Sequence, residues 1–292
     1  MATHSDANGP DEAKDVPETL GAQQASIGAN ATRKTAVEVQ ALVVEYGERR
    51  ILDGIDLTVK AGDIRVILGG SGSGKSTCLR AILGLIPSTG RVMLLGQDMN
   101  ALSESDRVKL RQRIGVMFQN GALFGSLSVA QNVALPLLEH GQLPDNVVTE
   151  LVRMKLNLVG MAYAEHLYPA QLSGGMKKRV ALARAMILDP DILFCDEPSA
   201  GLDPLTSAEL DALLLHVRAL FGTTIVVVTH ELDSIKGIAD SVIMLGKGKV
   251  IAEGPMAEVR AKEIPEVEQF FTRHVPSEVE KKQTAASLFG LG

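Results

Sequence analysis

The sequence has 292 residues, of which 46% are hydrophobic and 22% are charged, and its formal net charge is −6. A chain of this length buries enough apolar surface to fold without a disulfide or a structural metal, and two cysteines cannot form the disulfide framework of a small secreted protein. The acidic balance argues against a nucleic-acid partner. The longest apolar runs, such as residues 225–228, are strand-sized and too short to cross a membrane. We therefore expect a soluble cytoplasmic protein that reaches a membrane only through a partner.

Residues 1–35 are the first predicted region. They are rich in Ala, Gly, Asp, Asn and Thr, and Val16, Leu20 and Ile27 are their larger branched aliphatic residues. Such a segment cannot bury enough apolar surface to offset the entropy that ordering costs. The composition therefore predicts a disordered N-terminal tail.

From residue 37 onward the pattern predicts alternating strands and helices. Residues 64–68 are apolar except for Arg65, which is typical of a buried parallel strand. The other predicted strands are residues 37–44, 55–59, 114–118, 192–195, 224–228, 242–245 and 249–252, and the predicted helices are residues 78–85, 204–221 and 231–237. Apart from the strand at 114–118, residues 102–188 are mostly helical in periodicity.

This order of elements predicts an α/β fold in which helices flank a mainly parallel sheet. A mainly helical subdomain is inserted at about residues 120–188, inside a domain that covers residues 36–275. Residues 276–292 are interpreted as a C-terminal extension that ends in an apolar patch around Leu288 and Phe289. Frayed chain ends are common, so a disordered end is the alternative interpretation of this extension.

A phosphate-binding motif lies between the predicted strand 64–68 and the helix that follows it. Residues 69–76 read Gly-Gly-Ser-Gly-Ser-Gly-Lys-Ser and fit the pattern G-x-x-x-x-G-K-[ST]. The glycines let successive backbone N–H groups face an anion at a helix N-terminus. Lys75, expected to be an exposed loop lysine, would contact the β- and γ-phosphates, and the Ser76 hydroxyl would ligate Mg²⁺. The predicted phosphate-binding residues are Gly69, Gly70, Ser71, Gly72, Ser73, Gly74, Lys75, Ser76 and Thr77.

Two further segments carry the remaining chemistry. The apolar strand 192–195 ends in Asp196 and Glu197, predicted to hold Mg²⁺ through its water shell and to polarise the attacking water, respectively. Ser173 precedes two glycines at a helix start about 20 residues earlier, which is a second anion site of the helix N-terminal kind. Alone, the first would be a solvated turn and the second an ordinary helix cap. The run 177–179, Lys-Lys-Arg, is interpreted as a solvated face of that helix.

The ordered set of motifs over about residues 37–255 resembles the nucleotide-binding subunit of ATP-binding cassette (ABC) transporters. The resemblance implies that family's fold, a P-loop NTPase core with an N-terminal antiparallel β subdomain and a helical subdomain. It adds four residues to the site. Tyr46 would stack on adenine, and Gln119 would contact Mg²⁺ and the γ-phosphate and link the site to the membrane partner. Asp203 would be the carboxylate of the D-loop, and His230 the switch histidine at the γ-phosphate.

The resemblance therefore implies an ATPase with ATP and Mg²⁺ as its ligands. Its catalytic residues would be Glu197, His230 and Gln119, and its metal ligands Ser76, Gln119 and Asp196. Besides Tyr46, Asp203 and the phosphate-binding residues, the nucleotide would contact Ser173, Gly174 and Gly175. In this family the signature Ser-Gly-Gly of one subunit closes over the ATP of the other, which implies a head-to-tail homodimer.

Within the family, the sequence is similar to the ATPase of Mla-type phospholipid transporters, which work with MCE-domain lipid-binding proteins. Met176 stands where Gln is common, and residues 116–124 read Val-Met-Phe-Gln-Asn-Gly-Ala-Leu-Phe. The resemblance implies a peripheral protein at the cytoplasmic face of the inner membrane. Its partners would be permease subunits, an MCE-domain protein and a small regulatory subunit, and Leu288 and Phe289 would dock on the second ATPase copy.

Three alternatives remain open at this stage: an ATPase for amino-acid import, one for lipoprotein release, and a soluble iron–sulfur assembly ATPase. The loop after Gln119 bears on them. Leu123 and Phe124 are expected to be exposed for contact with the permease, the alternative being that both pack into the helical subdomain.

Overall fold

A computed structural model describes residues 33–141 and 143–272 of the chain. The predicted tail up to residue 32 and the whole C-terminal extension, with Leu288 and Phe289, lie outside the described residues. In chain order the strands are β1 (Thr35–Tyr46), β2 (Arg49–Lys60), β3 (Ile64–Leu68), β4 (Thr89–Leu94), β5 (Gln97–Asp98), β6 (Ile114–Met117), β7 (Ile192–Asp196), β8 (Thr224–Val228), β9 (Ser241–Gly246) and β10 (Lys249–Gly254). The helices are α1 (Lys75–Ile82), α2 (Glu104–Gln112), α3 (Val129–His140), α4 (Asp145–Leu158), α5 (Gly174–Ala185), α6 (Pro204–Phe221), α7 (Leu232–Ile238), α8 (Met256–Arg260) and α9 (Pro265–Thr272).

The strands of the described residues form two sheets. One is antiparallel, with the order β2-β1-β4-β5, and the other has the order β10-β9-β3-β8-β7-β6. In the second sheet the neighbours from β9 to β6 run parallel, and β10 is antiparallel to β9. The predicted α/β class is therefore confirmed.

Both faces of the larger sheet are covered, which explains its apolar strands. Every residue of β3, β7 and β8 is buried, as expected of parallel strands between two layers. Leu68 and Leu193 belong to a core with α3 to α7, whereas Ile67 and Phe194 belong to a core with α1 and the antiparallel sheet. The described residues therefore form two apolar cores on opposite faces of one sheet.

Several helices start at a side chain that accepts a backbone N–H. Ser103 caps α2. Ser128 caps α3 by accepting from the Gln131 N–H, and its own N–H donates to the Gln131 side-chain oxygen, which completes a capping box. At its C-terminus α6 ends at Gly222, which takes the left-handed conformation that favours glycine (φ 66°). These residues fix the helix limits locally.

Helices α3, α4 and α5 pack on one another within the predicted helical subdomain. Cys78 and Cys195 are fully buried, and burial raises the pKa of each thiol to about 12, so both behave as small apolar residues. No helix of the described residues combines the length and the apolar character that a membrane span requires.

Candidate functional site

The topology brings the predicted chemistry to one edge of the larger sheet. Strands β3, β8 and β7 are parallel neighbours, so their carboxyl ends lie side by side. The phosphate-binding loop follows β3, Asp196 ends β7 and Glu197 follows it, and His230 lies two residues after β8. Three separate motifs of the sequence therefore meet at one site.

The backbone of the phosphate-binding loop requires its glycines. Gly69 and Gly74 have positive φ angles of 148° and 102°. A Cβ atom at Gly69 would lie 2.3 Å from the Leu245 carbonyl oxygen, and one at Gly74 would lie 2.6 Å from a methyl carbon of Leu52. Beside Gly70 and Gly72 there is open space instead. Gly69 and Gly74 are therefore required by close backbone and side-chain neighbours, whereas a side chain would find free space at Gly70 and Gly72.

Lys75 is buried, so the expectation that it is an exposed loop lysine is wrong. Its Nζ donates hydrogen bonds to the carbonyl oxygens of Gly69 (2.9 Å) and Gly70 (3.1 Å), and the residue is 8% exposed. Burial lowers the pKa of this ammonium, and the nearby Glu197 and Asp196 carboxylates counteract that effect. The loop therefore holds its own lysine inside the site. Thr77 follows on α1 and is half-buried.

Ser76 and Asp196 are in direct contact. The Ser76 hydroxyl donates to Asp196 Oδ1 at 2.9 Å. Asp196 is 2% exposed, and its burial raises the pKa of the carboxyl, an effect that the Ser76 bond opposes. A hydroxyl and a carboxylate are oxygen ligands of the kind that Mg²⁺ takes in phosphate sites. The donor set thus fits the predicted metal.

Glu197 has an unusual backbone and an unpaired carboxylate oxygen. Its φ of 48° lies in the left-handed region, and its N–H donates to the Val228 carbonyl at 2.8 Å. Oε1 lies 2.9 Å from His230 Nδ1, whereas the buried Oε2 has no hydrogen-bond partner among the described residues. A buried carboxylate oxygen without a partner is unfavourable, so a water molecule would be bound well there.

Gln119 is the second residue of the loop after β6, and it is exposed. Phe124 is 53% exposed, as predicted, whereas Leu123 packs partly against the helical core. The fully buried Asn132 holds the Phe124 backbone, because its Oδ1 accepts from the Phe124 N–H at 2.8 Å and its Nδ2 donates to the Phe124 carbonyl at 3.1 Å. The loop therefore presents Phe124 outward from a fixed backbone.

The signature residues contact a different part of the chain. Ser173 caps α5 by accepting from the Met176 N–H at 3.2 Å. A Cβ at Gly175 would lie 2.5 Å from Thr206 Cγ2. Asp203 caps α6, and its bonds from the Thr206 side chain and backbone hold the pKa of the carboxyl below its usual range. The signature therefore packs on α6 at Gly175. Ser173 and Gly174 are exposed.

Two site residues remain. Tyr46 is the last residue of β1 and is 54% exposed, so its ring is open for stacking. The prediction that Lys178 lies on a solvated helix face is wrong. The residue is 6% exposed, and its Nζ donates to the carbonyl oxygens of Gln119 and Glu197. The helical spacing indicates this burial, because Lys178 lies three and four residues before the apolar Ala181 and Leu182 and shares their buried helix face.

Comparisons with known proteins bear on the family. The family described as ABC transporter matches residues 52–200. A Haemophilus influenzae protein named "Intermembrane phospholipid transport system ATP-binding protein MlaF" is 41% identical over 235 residues, which cover 80% of this chain and 89% of that protein. A Mycobacterium leprae protein named "Probable ribonucleotide transport ATP-binding protein mkl" is 39% identical over 236 residues, which cover 80% of this chain and 68% of that protein.

A solved structure is similar over the same domain. The dimeric ATP-binding cassette MJ0796, bound to ADP and Pi, superposes with a TM-score of 0.68 at 32% identity, covering 75% of this chain and 98% of that chain. The family and the Mla-type resemblance predicted from the sequence are both confirmed by these matches.

Proposed function

This chain belongs to the ABC transporter family, and from that premise we propose that it is the ATPase subunit that powers phospholipid transport through a separate membrane permease. The match over 89% of the H. influenzae phospholipid-transport ATPase carries this proposal. The exposed Phe124 in a loop shared with that type of ATPase, and Met176 in the signature, point in the same direction. The mycobacterial relative named for ribonucleotides is matched over a smaller share of its length.

In the proposed mechanism the phosphate-binding loop and Lys75 bind ATP. The backbone N–H groups of the phosphate-binding loop would bind the phosphates, and Lys75 moves from the Gly69 and Gly70 carbonyls to the β- and γ-phosphates. Ser76, Asp196 and Gln119 would hold Mg²⁺, which neutralises phosphate charge when it is bound. Tyr46 stacks on the adenine ring.

Glu197 acts as the general base. Its unpaired Oε2 accepts a hydrogen bond from water and removes a proton as the water oxygen attacks the γ-phosphorus. The bond from that phosphorus to the β–γ bridging oxygen breaks, and the electrons stay on the ADP that leaves. His230 holds Oε1, so the other oxygen points to the water.

A complete site requires two copies of the chain. In the signature, Gly175 packs on Thr206 of α6, and Ser173 and Gly174 are exposed. Lys75, Asp196, Glu197 and His230 interact with one another in a separate group. Two copies in head-to-tail register would place each signature, with Asp203 beside it, over the phosphates in the other copy. The similar MJ0796 cassette is dimeric.

The remaining partners follow from the Mla-type resemblance. We place the chain at the cytoplasmic face of the inner membrane as a peripheral subunit, together with permease subunits, an MCE-domain lipid-binding protein and a small regulatory subunit. No nucleic acid is involved. An apolar groove of about 210 Å³, lined by Leu85, Val116 and Phe118 among others, lies near the start of the Gln119 loop and has room for one or two apolar side chains of the permease.

The test uses a tagged copy of this chain, purified with its partners from detergent-solubilised membranes and reconstituted into vesicles. Movement of a fluorescent phospholipid on addition of ATP is measured beside uptake of a radiolabelled ribonucleotide. We expect ATP-dependent movement of the phospholipid alone. ATP-dependent ribonucleotide uptake without lipid movement would replace the proposed cargo, and purification without any membrane protein would favour the iron–sulfur assembly alternative.

Replacing Phe124 with Ala is expected to remove the chain from the permease while the fold and ATP binding remain. Truncating an aromatic anchor at an interface costs about 2 kcal/mol or more, roughly a 30-fold loss of affinity. Pull-down of the permease and the melting temperature are measured on the same preparation. Tyr163→Ala removes another exposed aromatic ring and is the matched control. A large fall in melting temperature with the permease still bound would place Phe124 in the core instead.

A further inference from the structure

Lys178 is a buried ammonium group that joins two segments of the site. It lies on α5 and is 6% exposed, and its Nζ donates to the carbonyl oxygen of Gln119 and, at 3.0 Å, to that of Glu197. Burying a charge is unfavourable unless strong hydrogen bonds compensate for the loss of water. Both carbonyl groups are therefore held firmly as long as the lysine remains.

The Glu197 carbonyl belongs to the strained backbone of the proposed base. Glu197 has a φ of 48°, and its carbonyl oxygen also accepts a bond from the Ala200 N–H at 3.2 Å. A non-glycine residue keeps such a conformation only where surrounding contacts determine it. Lys178 supplies one of these contacts, so it helps to set where the Glu197 carboxylate points.

The Gln119 carbonyl belongs to the loop that ends in Phe124. Arg184, on the same helix as Lys178, donates to the carbonyl oxygens of Gly121 (2.7 Å) and Ala122 (2.8 Å). Side chains of α5 thus hold this loop at two places. At Gln119, the Lys178 ammonium group that holds the loop also donates to the Glu197 carbonyl oxygen.

We propose that Lys178 is a positioning residue that transmits the position of the 119–124 loop to the catalytic Glu197. A shift of the loop moves the Gln119 carbonyl and alters the bond from Lys178 to Glu197, and with it the alignment of the base with the attacking water. This inference rests on the proposed function, in which Glu197 is the base and the loop contacts the permease. Lysine suits the role, because a flexible stem carries three donors.

The test is steady-state ATP hydrolysis by the purified full-length chain. Lys178→Met keeps the stem and removes every donor, so kcat is expected to fall about 10–100-fold, the effect of a displacement of about 1 Å. KM is expected to change less than about twofold, because the hydrogen bonds of Lys178 run to Gln119 and Glu197 rather than to the phosphate-binding loop. Lys178→Arg, which can still donate to both carbonyls, is expected to keep most of the activity.

The matched control is Lys155→Met, which removes another buried lysine. Lys155 is 2% exposed, pairs with Asp189 and lies 4.5 Å from the Phe221 ring centroid. Its replacement is expected to lower the melting temperature and leave kcat unchanged. Equal kcat values for the two Met variants would overturn the proposal. Should Lys178→Met fail to fold, Lys178→Leu, which also removes every donor, takes its place with the same criterion.

A double-mutant cycle tests the link to the loop. Arg184→Met releases the carbonyls of Gly121 and Ala122 and is expected to lower kcat several-fold in the native chain but not further in Lys178→Met, since coupled residues are not additive. Independent, additive effects, or no effect of Arg184→Met, would overturn the link. Glu197→Gln in the same assay distinguishes failure of the proposed function from failure of this inference. Normal hydrolysis by Glu197→Gln would refute the role of Glu197 as general base. Slow hydrolysis by Glu197→Gln together with normal hydrolysis by Lys178→Met would refute only the positioning role of Lys178.

Discussion

Replacing Glu197 with Gln is expected to slow ATP hydrolysis by about 10²–10⁴-fold while ATP still binds, since that factor is the usual contribution of a general base. The amide has the size of the carboxylate but cannot accept a proton from water. The buried, unpartnered Oε2 and the bond from Oε1 to His230 are the observations behind this expectation. Because hydrolysis would stop after binding, the variant is expected to accumulate as an ATP-bound dimer.

Initial rates of phosphate release and ATP binding by calorimetry check this result, with size-exclusion chromatography to follow dimer formation. Glu150→Gln is the control, since Glu150 is an exposed residue of α4 whose side chain pairs with Arg153 on the surface. Hydrolysis by Glu197→Gln at near the native rate would remove Glu197 from its role.

Replacing Lys75 with Ala is expected to weaken ATP binding by about 10–100-fold for each hydrogen bond that the ammonium group donates to phosphate, because hydrogen bonds of charged groups contribute about 1.5–3 kcal/mol. Hydrolysis is expected to stop as well. Lys75 also bonds the Gly69 and Gly70 carbonyls, so the melting temperature without nucleotide is expected to fall by a few degrees and no more.

Titration with ATP and thermal melting with and without nucleotide measure the two effects separately. Lys109→Ala is the control, because Lys109 is an exposed lysine of α2. A fall of many degrees without nucleotide, together with native ATP affinity, would make Lys75 a structural residue.

Much of the fold could be predicted because the central strands are locally unambiguous. Apart from Arg65, Asp196 and Thr224, the residues of β3, β7 and β8 are apolar in the sequence, and the phosphate-binding motif has a fixed spacing. The order of these motifs then determined which residues would meet at the sheet edge. Ser76 with Asp196, and Glu197 with His230, are indeed in contact.

Other features depend on partners that are distant in sequence. β4 and β5 are not evident from the sequence, because β4 begins with Thr, Gly and Arg and β5 is only Gln97 and Asp98; β4 becomes a strand by pairing with β1, and β5 by pairing with β4. The first half of β2 was missed for a similar reason, since Arg50 there is stabilised by Glu45 across the hairpin. α8 and α9 pack on the core with few local signals. Lys178 was misplaced because a charged residue is rarely buried, and its two carbonyl partners lie 59 and 19 residues away.

The most direct measurement of a shared catalytic site is complementation between two inactive variants. Lys75→Ala inactivates the phosphate-binding loop, and Ser173→Arg blocks the signature, so each homodimer should be inactive. In a head-to-tail dimer the mixed pair contains one intact site, built from the loop of the Ser173→Arg copy and the signature of the Lys75→Ala copy. Hydrolysis is therefore expected to return when the two are mixed. Mixtures as inactive as the separate variants, with mixed dimers shown to be present, would contradict a site shared between copies.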